Sequence, residues 1–275
     1  MSSKPTGAAG RRTRKLLRSV GLPVGAVIVA MALVTGGIWL FKIPDYIVPL
    51  PMYILADTIT EFPYLMEHAW VTLQEALFGF GTAIVVAFVV SVAMVWSKTV
   101  RETIMPLLIF LQTFPKTAVA PLFLIWFGFG IMPKVAVSFL ICFFPIVINT
   151  TVGLASVDAD MLDLGKSMSA TKRQIFTKVR IPHSLPYFFT GLRVAITLAL
   201  VGAIVGEFVG ANAGLGHLIL IANVRLDTTF LFAIILILIF MGAGLFYSIS
   251  GLERFIMPWK PSGEESGTTL TGETG

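Results

Sequence analysis

Thr229-Phe-Leu-Phe-Ala-Ile-Ile-Leu-Ile-Leu-Ile-Phe-Met-Gly-Ala-Gly-Leu-Phe-Tyr-Ser-Ile-Ser250 runs for 22 residues without one charged side chain. An α-helix of that length reaches roughly 33 Å, enough to cross a hydrocarbon core of about 30 Å. Five further apolar runs precede it: Pro23 to Phe41, Ala76 to Ser97, Ile104 to Phe127, Val135 to Leu154 and Tyr187 to Val209. With 56% hydrophobic residues, 13% charged and a mean hydropathy of +0.88, the 275-residue chain is too apolar to hide this surface in a water-soluble core. The fold class is therefore all-α: a polytopic transmembrane helix bundle of about six spans.

Three stretches organise the chain. Residues 1–22 form a basic foot, 23–260 a transmembrane domain with a long hydrophilic loop at 155–186, and 261–275 a Gly-, Ser-, Thr- and Glu-rich tail with too little to bury to fold by itself. The proline-containing stretch from Lys42 to Glu75 reads as an external segment. Placing the amino terminus inside puts sixteen of the twenty Lys and Arg residues on the cytoplasmic side, including Lys166, Lys172, Arg173, Lys178 and Arg180 of the loop. Lys42, Lys134 and Arg225 fall outside, and Lys116 lies within a span. This positive-inside split puts both termini in the cytoplasm and assigns the net charge of +5 to the lipid bilayer rather than to nucleic acid. Cys142, the single cysteine, rules out an intrachain disulfide.

The loop sequence from Asp160 to Phe176 places Met161, Leu164, Met168 and Ile175 near helical spacing. Asp158 or Asp160 can cap the start, and Pro182 and Pro186 prevent continuation. Such a helix either lies on lipid headgroups or docks on a cytoplasmic partner. Within it, Asp163, Leu164 and Gly165, then Ser169, then Val179, Ile181 and Pro182 keep the spacing of the Glu-Ala-Ala…Gly…Ile-x-Leu-Pro signature of importer permeases. Ser169 stands at the glycine position, where a left-handed turn favours glycine.

Outside the loop, Pro121-Leu-Phe-Leu-Ile-Trp-Phe-Gly-Phe-Gly130, Gly191-Leu-Arg193, Gly206-Glu207 and Gly214-Leu-Gly216 follow in order. Over roughly Thr72 to Trp259 the chain is similar to permeases of the nitrate, sulfonate and taurine group of ATP-binding-cassette importers. The resemblance implies that the loop is a coupling helix seated on a separate ATPase subunit. Its contacts would be Asp163, Leu164, Gly165, Met168, Ser169, Ala170, Ile175 and Phe176. It further implies a homodimer, an extracytoplasmic solute-binding protein, and ATP and Mg held by the ATPase, with no cofactor in this chain. Localisation would be the bacterial inner membrane.

The residues agree that the chain is no ATPase. Gly165-Lys166-Ser167 mimics the end of a phosphate-binding loop, but Asp160 occupies the place of the first glycine and would repel phosphate. His68, His183 and His217 are far apart in sequence, so no metal site is expected. No nucleophile elbow and no closely spaced acids within the spans suggest an enzyme.

Ionisable groups at membrane depth are functional candidates by default. Lys116, between Pro115 and Pro121, and Glu207 are the principal pathway candidates, with Gln112 and Asn149 behind them and Asn212 weaker still. An ion-coupled secondary transporter with a Lys116–Glu207 relay is the alternative reading. Gly202, Gly206, Gly210 and Gly214 recur every fourth residue and would form one flat helical stripe for close packing.

Overall fold

The computed structural model describes residues 35–37, 40, 44 and 47–258. The expected basic foot, most of the expected first span and the carboxy-terminal tail lie outside the described residues. Among the described residues the secondary structure is helical, with no strand. In chain order the helices are α1 (Pro51–Thr60), α2 (Phe62–Trp96), α3 (Lys98–Thr113), a 3-10 turn (Lys116–Val119), α4 (Ala120–Phe127), α5 (Met132–Ala155), α6 (Ala159–Ser167), α7 (Lys172–Ile175), a π turn (Phe176–Arg180), α8 (Ile181–Gly210), α9 (Leu215–Arg225) and α10 (Thr228–Ile256).

Among the described residues four helices are long and apolar enough to cross a membrane: α2, α5, the continuous Lys172–Gly210 helix, and α10. A fifth crossing is broken. Lys98–Thr113 and Lys116–Phe127 meet at 86°, and Pro115, which cannot donate a backbone hydrogen bond, stands at the break.

Three expectations need correction here. The stretch from Lys42 to Glu75, read as an external segment, holds α1 at Pro51–Thr60 and the start of α2, which begins at Phe62 rather than near Ala76. Nor do Pro182 and Pro186 stop the helix. Between Phe176 and Arg180 the backbone widens to a π turn, with the Ile181 N–H bonding the Phe176 carbonyl five residues back. Pro182 then enters in the first turn of α8, where a missing N–H costs least. Finally, Gly214 is not on the stripe: α8 ends at Gly210, and Gly214 sits in the following turn at φ 109°.

The chain divides into two compact units, one of Met66–Leu218 with Ile237–Gly275 and the other of Met1–Leu65 with Ile219–Leu236. The first contains every candidate residue discussed below. Its centre is the pairing of α5 with α8, made close by glycine. A Cβ on Gly202 would stand 2.6 Å from the Ser138 Cα, one on Gly206 would stand 2.7 Å from the Lys134 Cα, and one on Gly153 would stand 2.6 Å from the Tyr187 Cβ. Small residues replace the missing hydrophobic drive between helices in lipid with contact and interhelical hydrogen bonds. Thus Ser138 Oγ donates to the Ala199 carbonyl (3.1 Å), and Cys142 Sγ donates to that of Ala195 (3.2 Å). Ser91 Oγ donates to the Val147 carbonyl (3.0 Å), tying α2 to α5. Apolar side chains, Phe80, Met94, Phe144, Ile146, Phe189 and Ile196 among them, fill the rest of this core.

Candidate functional site

Chemistry concentrates at the two ends of α8, which its 30 residues hold roughly 45 Å apart. At the first end the loop is a hairpin of two short helices rather than one amphipathic helix. Helix α6 closes after Ser167 in a left-handed turn: the Ser169 N–H bonds the Lys166 carbonyl (2.9 Å), and the Ala170 N–H bonds that of Gly165 (3.0 Å). Ser169 carries the left-handed conformation itself, at φ 57°. Serine therefore holds the turn for which glycine is better suited.

The chain restarts at Thr171. Thr171 Oγ1 accepts from the Gln174 N–H, and Gln174 Oε1 accepts from the Thr171 N–H (2.8 Å). This reciprocal cap was legible as Thr-x-x-Gln, a signal the sequence reading missed.

Met161, Leu164 and Met168 project from the hairpin with 55%, 61% and 75% of their surface exposed. Asp163 is exposed as well and pairs with Lys166 at 2.7 Å. Ile175 does not join this face, since its Cγ1 would lie 3.4 Å from a Cβ on Gly165 across the turn. Phe176 is buried and packs edge-on against Trp96 at 5.4 Å, so it belongs to the support of the hairpin and not to its outer surface. Arg180 completes that support by donating from Nη1 to the Leu154 carbonyl (2.7 Å) in the last turn of α5, where a cation also complements the helix dipole. The hairpin is thereby fastened to α2 and α5 and continues directly into α8.

At the other end lies a polar cluster that sequence reasoning found only in part. Glu207, in the last turn of α8, is fully buried. Its Oε1 accepts from Thr72 Oγ1 (2.6 Å), and its Oε2 accepts from the Gly216 N–H. Thr72 Oγ1 also accepts from the Leu215 N–H (2.8 Å), and His68 Nδ1 accepts from the Gly214 N–H (3.0 Å). The three consecutive N–H groups that open α9 are thus satisfied by side chains of α2 and α8, a cap assembled across the fold.

Glu75, one turn beyond Thr72, is 2% exposed, and Lys134 at the start of α5 is 6% exposed; the two pair at 3.8 Å. Lys134, counted among the external charges, thus stands in the first turn of α5 and is buried against Glu75 rather than solvated. Glu75 likewise leaves the external segment for the interior. Its signal was available: an acid three residues after Thr72 shares that residue's helix face. The partners of both were too distant in sequence to infer. A cleft of about 230 Å³, lined by Val71, Glu75, Phe129, Lys134 and Asn212 among others, opens against this pair. His68 and His217 stack at 6.5 Å, but no group of three or more possible metal ligands exists among the described residues.

Lys116 and Glu207 are not brought together. Lys116 Nζ donates to the Gln112 carbonyl (3.3 Å) and lies 4.7 Å from the Phe144 ring centre, beside the break between Thr113 and Lys116. Gln112 is exposed there. Asn149 Nδ2 donates to the Pro145 carbonyl (2.8 Å) on its own helix.

Comparison with known proteins accords with this arrangement. The formylaminopyrimidine transport permease protein ThiX of Halalkalibacterium halodurans is 41% identical over 78% of this chain and 86% of its own length. The riboflavin transport system permease protein RibX of Chloroflexus aurantiacus is 33% identical over 94% and 98%. The putative aliphatic sulfonates transport permease protein SsuC of Bacillus subtilis is 30% identical over 89% and 88%. A chain of the methionine ABC transporter MetNI, solved in an inward-facing conformation, shares the fold with a TM-score of 0.61 at 17% identity, covering 70% of this chain and 96% of that one. Residues 76–259 match the family described as binding-protein-dependent transport system inner membrane component. The chain belongs to that family and is the membrane-spanning permease component of an ABC importer, which displaces the ion-coupled alternative.

Proposed function

We propose that two copies of this chain line the path of a small solute across the bacterial inner membrane, with both termini in the cytoplasm. An ATPase subunit carrying ATP and Mg docks beneath the pair, and an extracytoplasmic binding protein delivers the solute. The observation that carries this reading is the exposed trio Met161, Leu164 and Met168 on a hairpin anchored to three spans. Such a trio suits insertion into an apolar cleft of a partner, and the anchors convert movement of the hairpin into movement of α2, α5 and α8. The relatives point to a small polar metabolite, with a formylated aminopyrimidine the first to test and sulfonates the second.

The test is co-purification of the ATPase with the full chain carrying Leu164→Asp or Met168→Asp. Either charge should abolish capture of the ATPase and stop uptake while the chain remains inserted and monodisperse. Undiminished capture and uptake in both variants would overturn the coupling role. For orientation, Lys172→Cys should react with a membrane-impermeant maleimide only in inside-out vesicles; reaction in intact cells would reverse the topology.

A further inference from the structure

Depth and open backbone coincide at the break between Thr113 and Lys116. Lys116 Nζ lies 4.7 Å from the centre of the Phe144 ring, and Phe144 stands midway along α5, 12 residues after Met132 and 11 before Ala155. That is roughly 17 Å from either end of α5 at 1.5 Å per residue, too far for a lysine stem to carry its ammonium to the headgroups. At the same place Pro115 has no N–H for the Leu111 carbonyl. The carbonyls on either side of Leu111 are held by side chains: Thr113 Oγ1 donates to that of Phe110 (2.7 Å), and Lys116 Nζ to that of Gln112 (3.3 Å). Gln112, Thr113, Pro115 and Thr117 are nonetheless exposed, and Lys116 is only half-buried.

Irregular backbone at membrane depth is tolerated where it lines water or meets protein, and not against lipid. Among the described residues no acid pairs with Lys116. Of the three N–H groups of the ammonium, Gln112 takes one, and the Phe144 ring offsets part of the charge without supplying a counter-ion. We infer that Lys116 is an oxyanion-binding position, rimmed by Gln112 and Thr117, inside the path proposed above between two copies of this chain, a reading on which it rests. The solute it takes is a small molecule bearing an acidic group of the sulfonate, carboxylate or phosphate kind, which supplies the missing counter-charge as it passes. A single half-exposed lysine suits passage, because it attracts an anion without enclosing it. Of the two solute classes proposed above, this chemistry favours the sulfonates.

The experiment reads charge selectivity at a thiol placed beside Lys116, in the full chain in lipid nanodiscs. Cys142→Ser removes the native thiol and keeps a donor for the Ala195 carbonyl, and Thr117→Cys provides the target. The probes are two methanethiosulfonates, one ending in a sulfonate and the other in trimethylammonium, each rate divided by that reagent's rate with a free thiol in solution. The sulfonate-to-ammonium ratio should exceed one with Lys116 in place or with Lys116→Arg, and fall about tenfold in Lys116→Met. Failure of both reagents to reach Thr117→Cys would remove the water-filled path and the inference with it. Reaction at a ratio of one or less with Lys116 in place, or at the same ratio in Lys116→Met, would leave the path and remove the oxyanion site. The readout needs neither ATPase nor binding protein, so it fails independently of the hairpin test.

Discussion

The two ends of α8 solve opposite problems. The hairpin end leaves Met161, Leu164 and Met168 in the open and satisfies its backbone locally, through the Ser169 turn and the Thr171–Gln174 cap. The Glu207 end leaves almost nothing open and satisfies the backbone of α9 with side chains about 140 residues away in sequence, His68 and Thr72. The turn and cap of a local device can be rebuilt without unpacking the spans, whereas a long-range one fails as a unit. Substitutions at the two ends should therefore differ in kind as well as in size.

The largest effect is expected from Lys134→Met. The methionine fits the volume of the lysine stem but withdraws the one cation from two buried acids, and orphaning a buried charge typically costs about 3–5 kcal/mol. The purified variant should lose its monodisperse gel-filtration peak at a much lower temperature than wild type. A variant as heat-resistant as wild type would show that Lys134 contributes little to the buried network and would weaken the contrast between the two ends.

Between the ends, Gly202→Val tests the α5–α8 contact that joins them. Its Cβ would meet the Ser138 backbone at 2.6 Å, and backbone cannot step aside as a flexible side chain can. Overpacking of this kind costs about 1–3 kcal/mol. The expected outcome is a lowered unfolding temperature with the 172–175 cap intact, read as unchanged hydrogen exchange at the Gln174 amide. Gly210→Val should be milder, since the nearest atoms there belong to the Leu124 side chain.

This gradient follows what could be read in the chain. Apolar runs announced α5, α8 and α10 because hydrocarbon thickness imposes length directly on sequence, and local spacing announced helix between Asp160 and Phe176 but not its division into a hairpin. Missed were features that depend on pairs distant in sequence. Glu75 looked like part of a polar external stretch until α2 proved to begin at Phe62. Lys134 looked like a flanking charge until α5 carried it against Glu75. Gly214 fitted a four-residue period but lay one turn past the end of the helix, and period alone carries no stop signal when the cap is supplied by another span. Phe176 was a docking contact by resemblance alone, and Trp96, 80 positions earlier, covers it.

The smallest effect sharpens the comparison most cleanly. Ser169 holds a left-handed backbone at φ 57°, which costs a residue with a Cβ about 1–2 kcal/mol relative to glycine. Glycine gives back about 0.4–1 kcal/mol through the greater freedom of the open chain. Ser169→Gly should therefore tighten the hairpin by roughly 0.8 kcal/mol, the difference of those opposing contributions. Because the turn is closed by the bond from the Ala170 N–H to the Gly165 carbonyl, the gain should appear as slower hydrogen exchange at the Ala170 amide. The unfolding temperature of the whole chain should stay where it is, since a surface hairpin opens by itself before the spans do. Faster exchange at Ala170 would mean that the serine side chain supports the turn in a way its backbone angle does not reveal. A shift in global unfolding would mean that the hairpin and the spans are one cooperative unit, and the division between a local end and a long-range end would no longer hold.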